Sequence, residues 1–179
     1  NKQIRRYLIL VGILMIFWLT IRIIKWRFLS VTDPMGRYLW YAYYIPMIMI
    51  PLFGVFIVQY AGKREDYVIP KKFNLLFIPS FALLVFIFTN DIHRCVFEFP
   101  EGIINYNDIY DYKWGFFIVV AWFVSLGFYF TVMLLVKSRV PGSRSFQRLP
   151  AVIMVLAAGL WALYSLGILK IDLAAMDCL

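Results

Sequence analysis

Apolar residues run along this chain in long blocks, and most charged residues are gathered between them. A helix crossing a bilayer needs about 20 mostly apolar residues, since each adds roughly 1.5 Å against a hydrocarbon core of about 30 Å. Five stretches meet that requirement, at 7–24, 39–60, 73–90, 115–136 and 151–169. The third is the shortest, and needs its start near Phe73 and its end near Asn90. The pattern predicts an all-α fold: one polytopic transmembrane domain of about five helices. Connections are short, so neighbouring helices are expected to pack antiparallel as hairpins.

Individual residues refine these elements. Between the first two stretches, Asp33-Pro34 with Gly36 carries turn chemistry: Pro presets φ, Asp bonds the following backbone, and Gly accepts positive φ. The second stretch holds Pro46 and Pro51, each of which removes a helix donor, so a kink and a deformable point are expected there. Pro79 falls near the start of the third stretch, where its cost is smaller. In the fifth, Ala151, Ala158, Ala162 and Ser165, with Val155 completing the spacing, lie along one helical face and let another backbone approach closely. That face suits packing within the chain or a homodimer. No internal repeat or low-complexity segment stands out.

Composition sharpens the class. Of 179 residues, 63% are apolar, 20% aromatic and 16% charged, whereas a soluble domain sits nearer about half apolar and a quarter charged. The chain reads as an integral membrane protein whose first partner is the lipid bilayer. Lys2, Arg5 and Arg6 before the first stretch resemble a signal peptide, but the apolar part is longer than an h-region and no small-x-small cleavage pattern follows. The sequence opens at Asn1 without Met and stops after "LAAMDC", the apparent opening of another apolar segment. A fragment of a longer protein is therefore expected.

The net charge of +8 needs no nucleic acid to explain it. Lys and Arg number three before the first stretch, four in Ala61–Lys72 and four in Lys137–Arg148, eleven in all. The opposite side carries seven: Arg22, Lys25, Arg27, Arg37, Arg94, Lys113 and Lys170. The positive-inside rule then places the N terminus in the cytoplasm and Asp91–Trp114 outside. The run from Arg22 to Arg37 spoils an otherwise clean pattern.

Chemistry is sparse. The central portions of all five stretches lack Asp, Glu, Lys, Arg and His, which argues against a proton- or ion-coupled transporter. Thr20, Ser80, Ser125 and Thr131 are weakly polar and can bond their own backbone. One His and two distant Cys match no zinc spacing, and no phosphate loop or G-x-S-x-G nucleophile occurs, so no metal or cofactor is expected. Cys95 and Cys178 both fall on the predicted outer side and could pair or remain free thiols. Aromatics crowd that side too: Tyr38, Trp40, Tyr41, Tyr43 and Tyr44, then Tyr106, Tyr110, Tyr112, Trp114, Phe116 and Phe117. They suit an interfacial belt, or an aromatic-lined pocket.

One polar cluster interrupts the hydrocarbon pattern, "FTNDIHRCVFEFPEG", and it contains the only histidine. In one reading, Asn90 ends the third helix in a left-handed cap, Thr89 bonds back to a carbonyl, and Asp91 and His93 are solvated. In the other, Asn90, Asp91 and His93 form the rim of an external cavity beside the aromatic end of the second helix, with His93 able to sense pH.

"WYAYYIPMIMIPLFGVFIVQYAGK" followed by "KKFNLLFIPSFALLVFIFTNDIHRCVFEF" resembles the middle of the seven-transmembrane N-terminal region of bacterial and archaeal sensor histidine kinases. The resemblance rests on Pro46, Pro51, Tyr60, Gly62 and Lys63, then on Thr89, Asn90, His93 and Phe97. It covers 40–136 well and the rest by hydropathy only. It implies that the first stretch corresponds to the family's second span and the fifth to its sixth, with the Thr-Asn cluster outside and a further span after Leu179. Asp91 and Arg94 stand where the family often has Pro and a second His, and one span is missing at the N terminus. No kinase segment lies in these residues, and His93, outside and away from ATP, is no phosphoacceptor.

The leading expectation is a membrane-embedded sensory module, passing an external or membrane-borne signal to a cytoplasmic output domain outside this chain. The resemblance implies histidine kinase output. Trp40, Tyr44, Asn90, Asp91 and His93 are the candidate ligand-binding rim, with Pro46 and Pro51 as the hinge. From other classes come a small-solute or lipid transporter, a lipid-acting enzyme using His93 and Asp91, and a membrane scaffold.

Overall fold

The computed structural model describes residues 2–29, 34–64, 67–99 and 110–137. Within these the chain is mostly helical, and four helical segments are long and apolar enough to cross a membrane: Lys2–Phe28, Met35–Tyr60, Lys71–Phe88 and Trp114–Val136. The stretch at 151–169, with its small-residue face, lies outside the described residues, as does Cys178. The chain divides into two units after Phe130; the contacts that follow all belong to the first.

Helix α1 (Lys2–Phe28) buries only Ile21 and Lys25. It is longer than the apolar block that predicts it, because the flanking basic residues continue the helix and can extend their charges toward water. Its partner is α3 (Tyr44–Tyr60). Tyr7 stacks on Phe56 at 5.4 Å and lies 5.7 Å from Phe53. Near the other end of α1, the Lys25 ammonium sits 4.7 Å from the Trp26 ring and 5.6 Å from that of Tyr43, a cation–π arrangement.

The second apolar stretch divides at Tyr43 into α2 (Pro34–Ala42) and α3. Pro46 explains the position. An uninterrupted helix would send the amide of residue 46 to Ala42 O, and proline has no such amide while its ring crowds that carbonyl. Tyr43 N instead bonds Trp40 O at 3.1 Å, one residue tighter than an α-helical bond. Pro46 thus sits in the first turn of α3, where its missing donor is least costly, and Pro51 lies inside that helix. Pro34 opens α2, a position proline favours, so Gly36 is helical rather than part of a turn. Helix α3 is the centre of the bundle: Ile48, Leu52, Val55, Phe56 and Val58 are each at most 1% exposed.

The third stretch begins as a 3₁₀ turn, Lys71–Leu76, and becomes α4 (Phe77–Phe88). Pro79 is the third residue of α4, so its missing bond falls where the ladder is already changing type. After a four-residue turn, α5 (Asn90–His93), comes a departure from the all-α expectation. Strands β1 (Phe97–Glu98) and β2 (Asp111–Tyr112) pair antiparallel, Phe97 opposite Tyr112 and Glu98 opposite Asp111. Two residues per strand give no periodicity to read in a sequence. The ribbon leads into α6 (Trp114–Lys137).

Polar side chains inside the helices find partners, as hydrocarbon requires. Thr20 Oγ1 bonds Ile16 O at 2.8 Å and Ser125 Oγ bonds Ala121 O at 2.6 Å. Other bonds cross between helices. Trp122 Nε1 of α6 donates to Ser80 Oγ of α4 at 3.0 Å, and Gln59 Nε2 of α3 donates to the Tyr129 hydroxyl of α6.

Candidate functional site

Helix α4 ends at Thr89, whose Oγ1 bonds Val85 O at 2.8 Å, as the helix-capping reading expects. The left-handed residue is not Asn90 but Arg94, φ 52°, which closes α5. Asn90 has another task. Its Oδ1 accepts from the amides of Val96 and Phe97, both at 3.0 Å. Its Nδ2 donates to Phe97 O at 2.9 Å and to the Tyr41 hydroxyl at 3.2 Å. A carboxamide has two acceptor lone pairs and two donors, and all four are used. The residue is completely buried, so a site where an unmade bond would be expensive is fully satisfied.

Asp91 extends the network toward the surface. Its Oδ1 accepts from the Tyr41 hydroxyl at 2.7 Å and from Arg37 at 3.2 Å. Arg37 and Tyr41 are one turn apart on α2, so one helical face supplies both partners. The Arg37 guanidinium also lies 4.2 Å from the Phe99 ring. Asp91 is therefore held rather than freely solvated, although the ion pair keeps partial exposure of 21% and 28%.

His93 is held on the other side of α5. Its ring stacks on Phe86 at 4.5 Å with 13° between planes. Nε2 lies 2.9 Å from Phe86 O, and Nδ1 accepts from the Cys95 amide at 3.0 Å. A carbonyl can only accept and an amide can only donate, so this geometry takes the Nε2–H tautomer. Cys95 carries a free thiol 3.2 Å from His93 O. Its own carbonyl accepts from the amide of Gly115 at 3.0 Å. That approach needs glycine: a Cβ at 115 would stand 2.6 Å from the Phe86 ring and 2.8 Å from Cys95 O.

Trp40 and Tyr44 are buried at 9% and 7% exposure, beneath the rim rather than on it. Trp40 packs against Phe97 at 4.5 Å and Tyr110 at 4.8 Å, with Tyr44 edge-on at 6.0 Å. Tyr112 stacks on Phe116 at 4.0 Å. Trp40, Tyr44, Phe97 and Phe116 make a packed aromatic core, while Tyr38, Tyr112, Trp114 and Phe117 are exposed in the manner of an interfacial belt. Above the core, Lys113 pairs with Glu98. The hydrogen bond and charge of Lys113 hold the Glu98 carboxyl below its ordinary range, and Glu98 in return raises the Lys113 ammonium.

The five candidate residues are thus brought to one end of the bundle, four of them around Tyr41 and Phe97 and His93 beside Phe86. The sequence reading put none of Arg37, Tyr41, Phe97 and Gly115 in the rim, although it placed Tyr41 among the outer aromatics and Phe97 in the family motif. A further signal was the one-turn spacing of Arg37 and Tyr41 on the helix before Pro46. Among the described residues no group of three or more His, Cys, Asp or Glu side chains converges as a metal site.

Neither the curated proteins nor the solved structures contain a match to this chain. The family model described as the N-terminal 7TM region of histidine kinase matches residues 1–177. That match covers the Asn90 knot and all four described spans, and the chain belongs to the family of N-terminal seven-transmembrane regions of histidine kinases.

Proposed function

We propose that this multi-pass membrane region senses an external or membrane-borne signal and passes it to a cytoplasmic output domain outside these residues, with its N terminus in the cytoplasm. The observation that carries the reading is the position of Asn90. One buried carboxamide joins α2, through Tyr41, to the turn after α4 and the ribbon that leads into α6. A ligand can shift a packing equilibrium only by its differential affinity for the two arrangements. A ligand touching Asp91 or His93 meets groups already bonded to α2 and α4, so its contacts compete with those between helices. In this reading Asp91 and His93 are the accessible members of the rim. Trp40, Tyr44 and Asn90 act from beneath it by packing, and the helix break before Pro46, with Pro51 below, is where α2 can move.

The encoding gene, read in both directions past Asn1 and Leu179, tests the output. A further span followed by a phosphoacceptor-histidine helix and an ATP-binding segment is the expected result. A stop codon soon after Leu179 would remove the readout and the proposal with it. The rim is tested separately in the full-length protein with D91N and H93Q, which should change signalling while leaving the fold intact. Unchanged signalling in both would exclude the rim.

A further inference from the structure

The end of the bundle opposite Asn90 contains an opening that the sensory reading does not use. Between α3, the 3₁₀ turn Lys71–Leu76 and α6 lies a pocket of about 370 Å³, within the range of about 300–1,000 Å³ usual for small-molecule sites. Val55, Leu76, Trp122 and Leu126 give it apolar walls, and Lys72 stands at its rim. Trp122 and Ser125 also line a shallower groove that continues along α4 and α6 past Pro79 and Ala82.

Two features make this a formed site rather than a loose seam. Trp122 to Ser80 ties α6 to α4, and Gln59 to Tyr129 ties α6 to α3. These bonds flank the opening and fix the spacing of its walls. The 3₁₀ turn Lys71–Leu76 supplies the third wall, its tighter winding setting Lys72, Phe73 and Leu76 along the pocket. From Trp122 to Tyr129 the helix advances about 10 Å, so the pocket runs from the level of Lys72 well into the hydrocarbon region.

A cation at the polar end and an apolar interior are the complement of an anionic amphiphile. We infer that this pocket binds an anionic phospholipid, one acyl chain between α3, the 3₁₀ turn and α6 and the headgroup phosphate on the Lys72 ammonium. Lys63, Arg64 and Lys71 stand nearby in the sequence, and basic pockets between spans are the usual seats of anionic headgroups. An uncharged lipid would fill the apolar part and leave Lys72 without a counter-charge from its occupant. The inference does not depend on kinase output, and its test reads binding alone.

The full chain is placed in phosphatidylcholine vesicles containing a minor fraction of lipid with brominated acyl chains, which quench tryptophan on contact. The Trp122 signal is the difference between the wild type and W122F. Brominated phosphatidylglycerol should quench it several-fold more than brominated phosphatidylcholine at the same mole fraction. K72Q, at an exposed position, should abolish the preference without changing the fold. S125F should lower quenching by both lipids, and native mass spectrometry should show loss of retained phosphatidylglycerol in K72Q. Equal quenching by the two lipids would overturn the headgroup assignment. Absence of quenching by either would mean that a protein segment occupies the space, and the lipid site would be rejected. Neither failure touches the sensory proposal, whose test is the gene and the rim variants.

Discussion

Tyr41 and Asn90, 49 positions apart in the sequence, share a 3.2 Å hydrogen bond at a place where both residues are completely buried. The same hydroxyl donates to Asp91 at 2.7 Å, so one oxygen accepts from the buried amide and donates to the half-exposed carboxylate. The bond connects α2 to the turn after α4.

Removing the carboxamide should therefore be severe. Asn90→Ala strands the amides of Val96 and Phe97 and the carbonyl of Phe97. An orphaned buried group costs about 1–3 kcal/mol, so a loss of about 3 kcal/mol or more is expected. Asp91→Asn touches a partly exposed ion pair and should cost no more than about 1 kcal/mol. Thermal unfolding in detergent micelles separates the two. Equal small losses would show that the knot is not what holds this end together.

The spans were legible because a bilayer imposes length and composition on any helix that crosses it. Even the break at Tyr43 follows from a rule, since Pro46 acts on the residue four positions earlier. The knot was not legible in the same way. "TND" reads equally well as a cap, and only the packing of α2 against α4 brings Tyr41 to it. Arg37 shows the same gap from another side. As a charge it spoils the positive-inside count, whereas in the fold it has Asp91 and the Phe99 ring.

Gly115→Ala tests the close approach of α6. The added methyl would sit 2.6 Å from the Phe86 ring and 2.8 Å from a backbone carbonyl. The ring can shift, but the carbonyl belongs to the Cys95 linkage, so a cost of about 1–3 kcal/mol is expected from overpacking. Gly12→Ala is the control, with nothing within 4 Å of the new methyl, and should be neutral or slightly stabilising. Thermal unfolding of both variants decides the matter; similar melting temperatures would contradict the placement of α6.

The His93 geometry predicts a spectroscopic signature. With Nε2 on Phe86 O and Nδ1 receiving the Cys95 amide, nitrogen-15 NMR of the imidazole should show a protonated Nε2 and an unprotonated Nδ1. It is the chain's single histidine, so the assignment is unambiguous. A proton found on Nδ1 would refute the two bonds, because it would face the amide hydrogen of Cys95.

Glu98 and Lys113 give the pH dependence its shape. The Glu98 carboxyl is lowered from 4.5 in the fold, so its contribution is present above that value and lost as pH falls through the folded value. The Lys113 ammonium is raised from 10.5, so its contribution is complete below that value and lost as pH rises through the folded one. Between the two limits the pair gives a flat profile. Glu98→Gln should make the melting temperature less sensitive to acid below pH 4.5. The difference should shrink in high salt, as screening requires for an exposed pair. An identical acid limb in both proteins would sink the assignment.

Pro46 decides whether α2 is independent of α3. Pro46→Ala restores the amide that an uninterrupted helix would send to Ala42 O, and with it the drive to continue α3 through Tyr43 into α2. Straightening there would swing Arg37 and Tyr41 away from Asp91 and Asn90, whose bonds oppose it. The outcome is a competition between one regained helix turn and the polar knot. Spin labels at Met35 and Ile92, both exposed, report it in a background with Cys95 and Cys178 replaced by Ser. The variant should give a broader, longer distance distribution than the parent, and Asn90→Ala in the same background should enlarge the change. A distribution indistinguishable from the parent in both would show that Pro46 is not the deformable point and that α2 is set by contacts elsewhere.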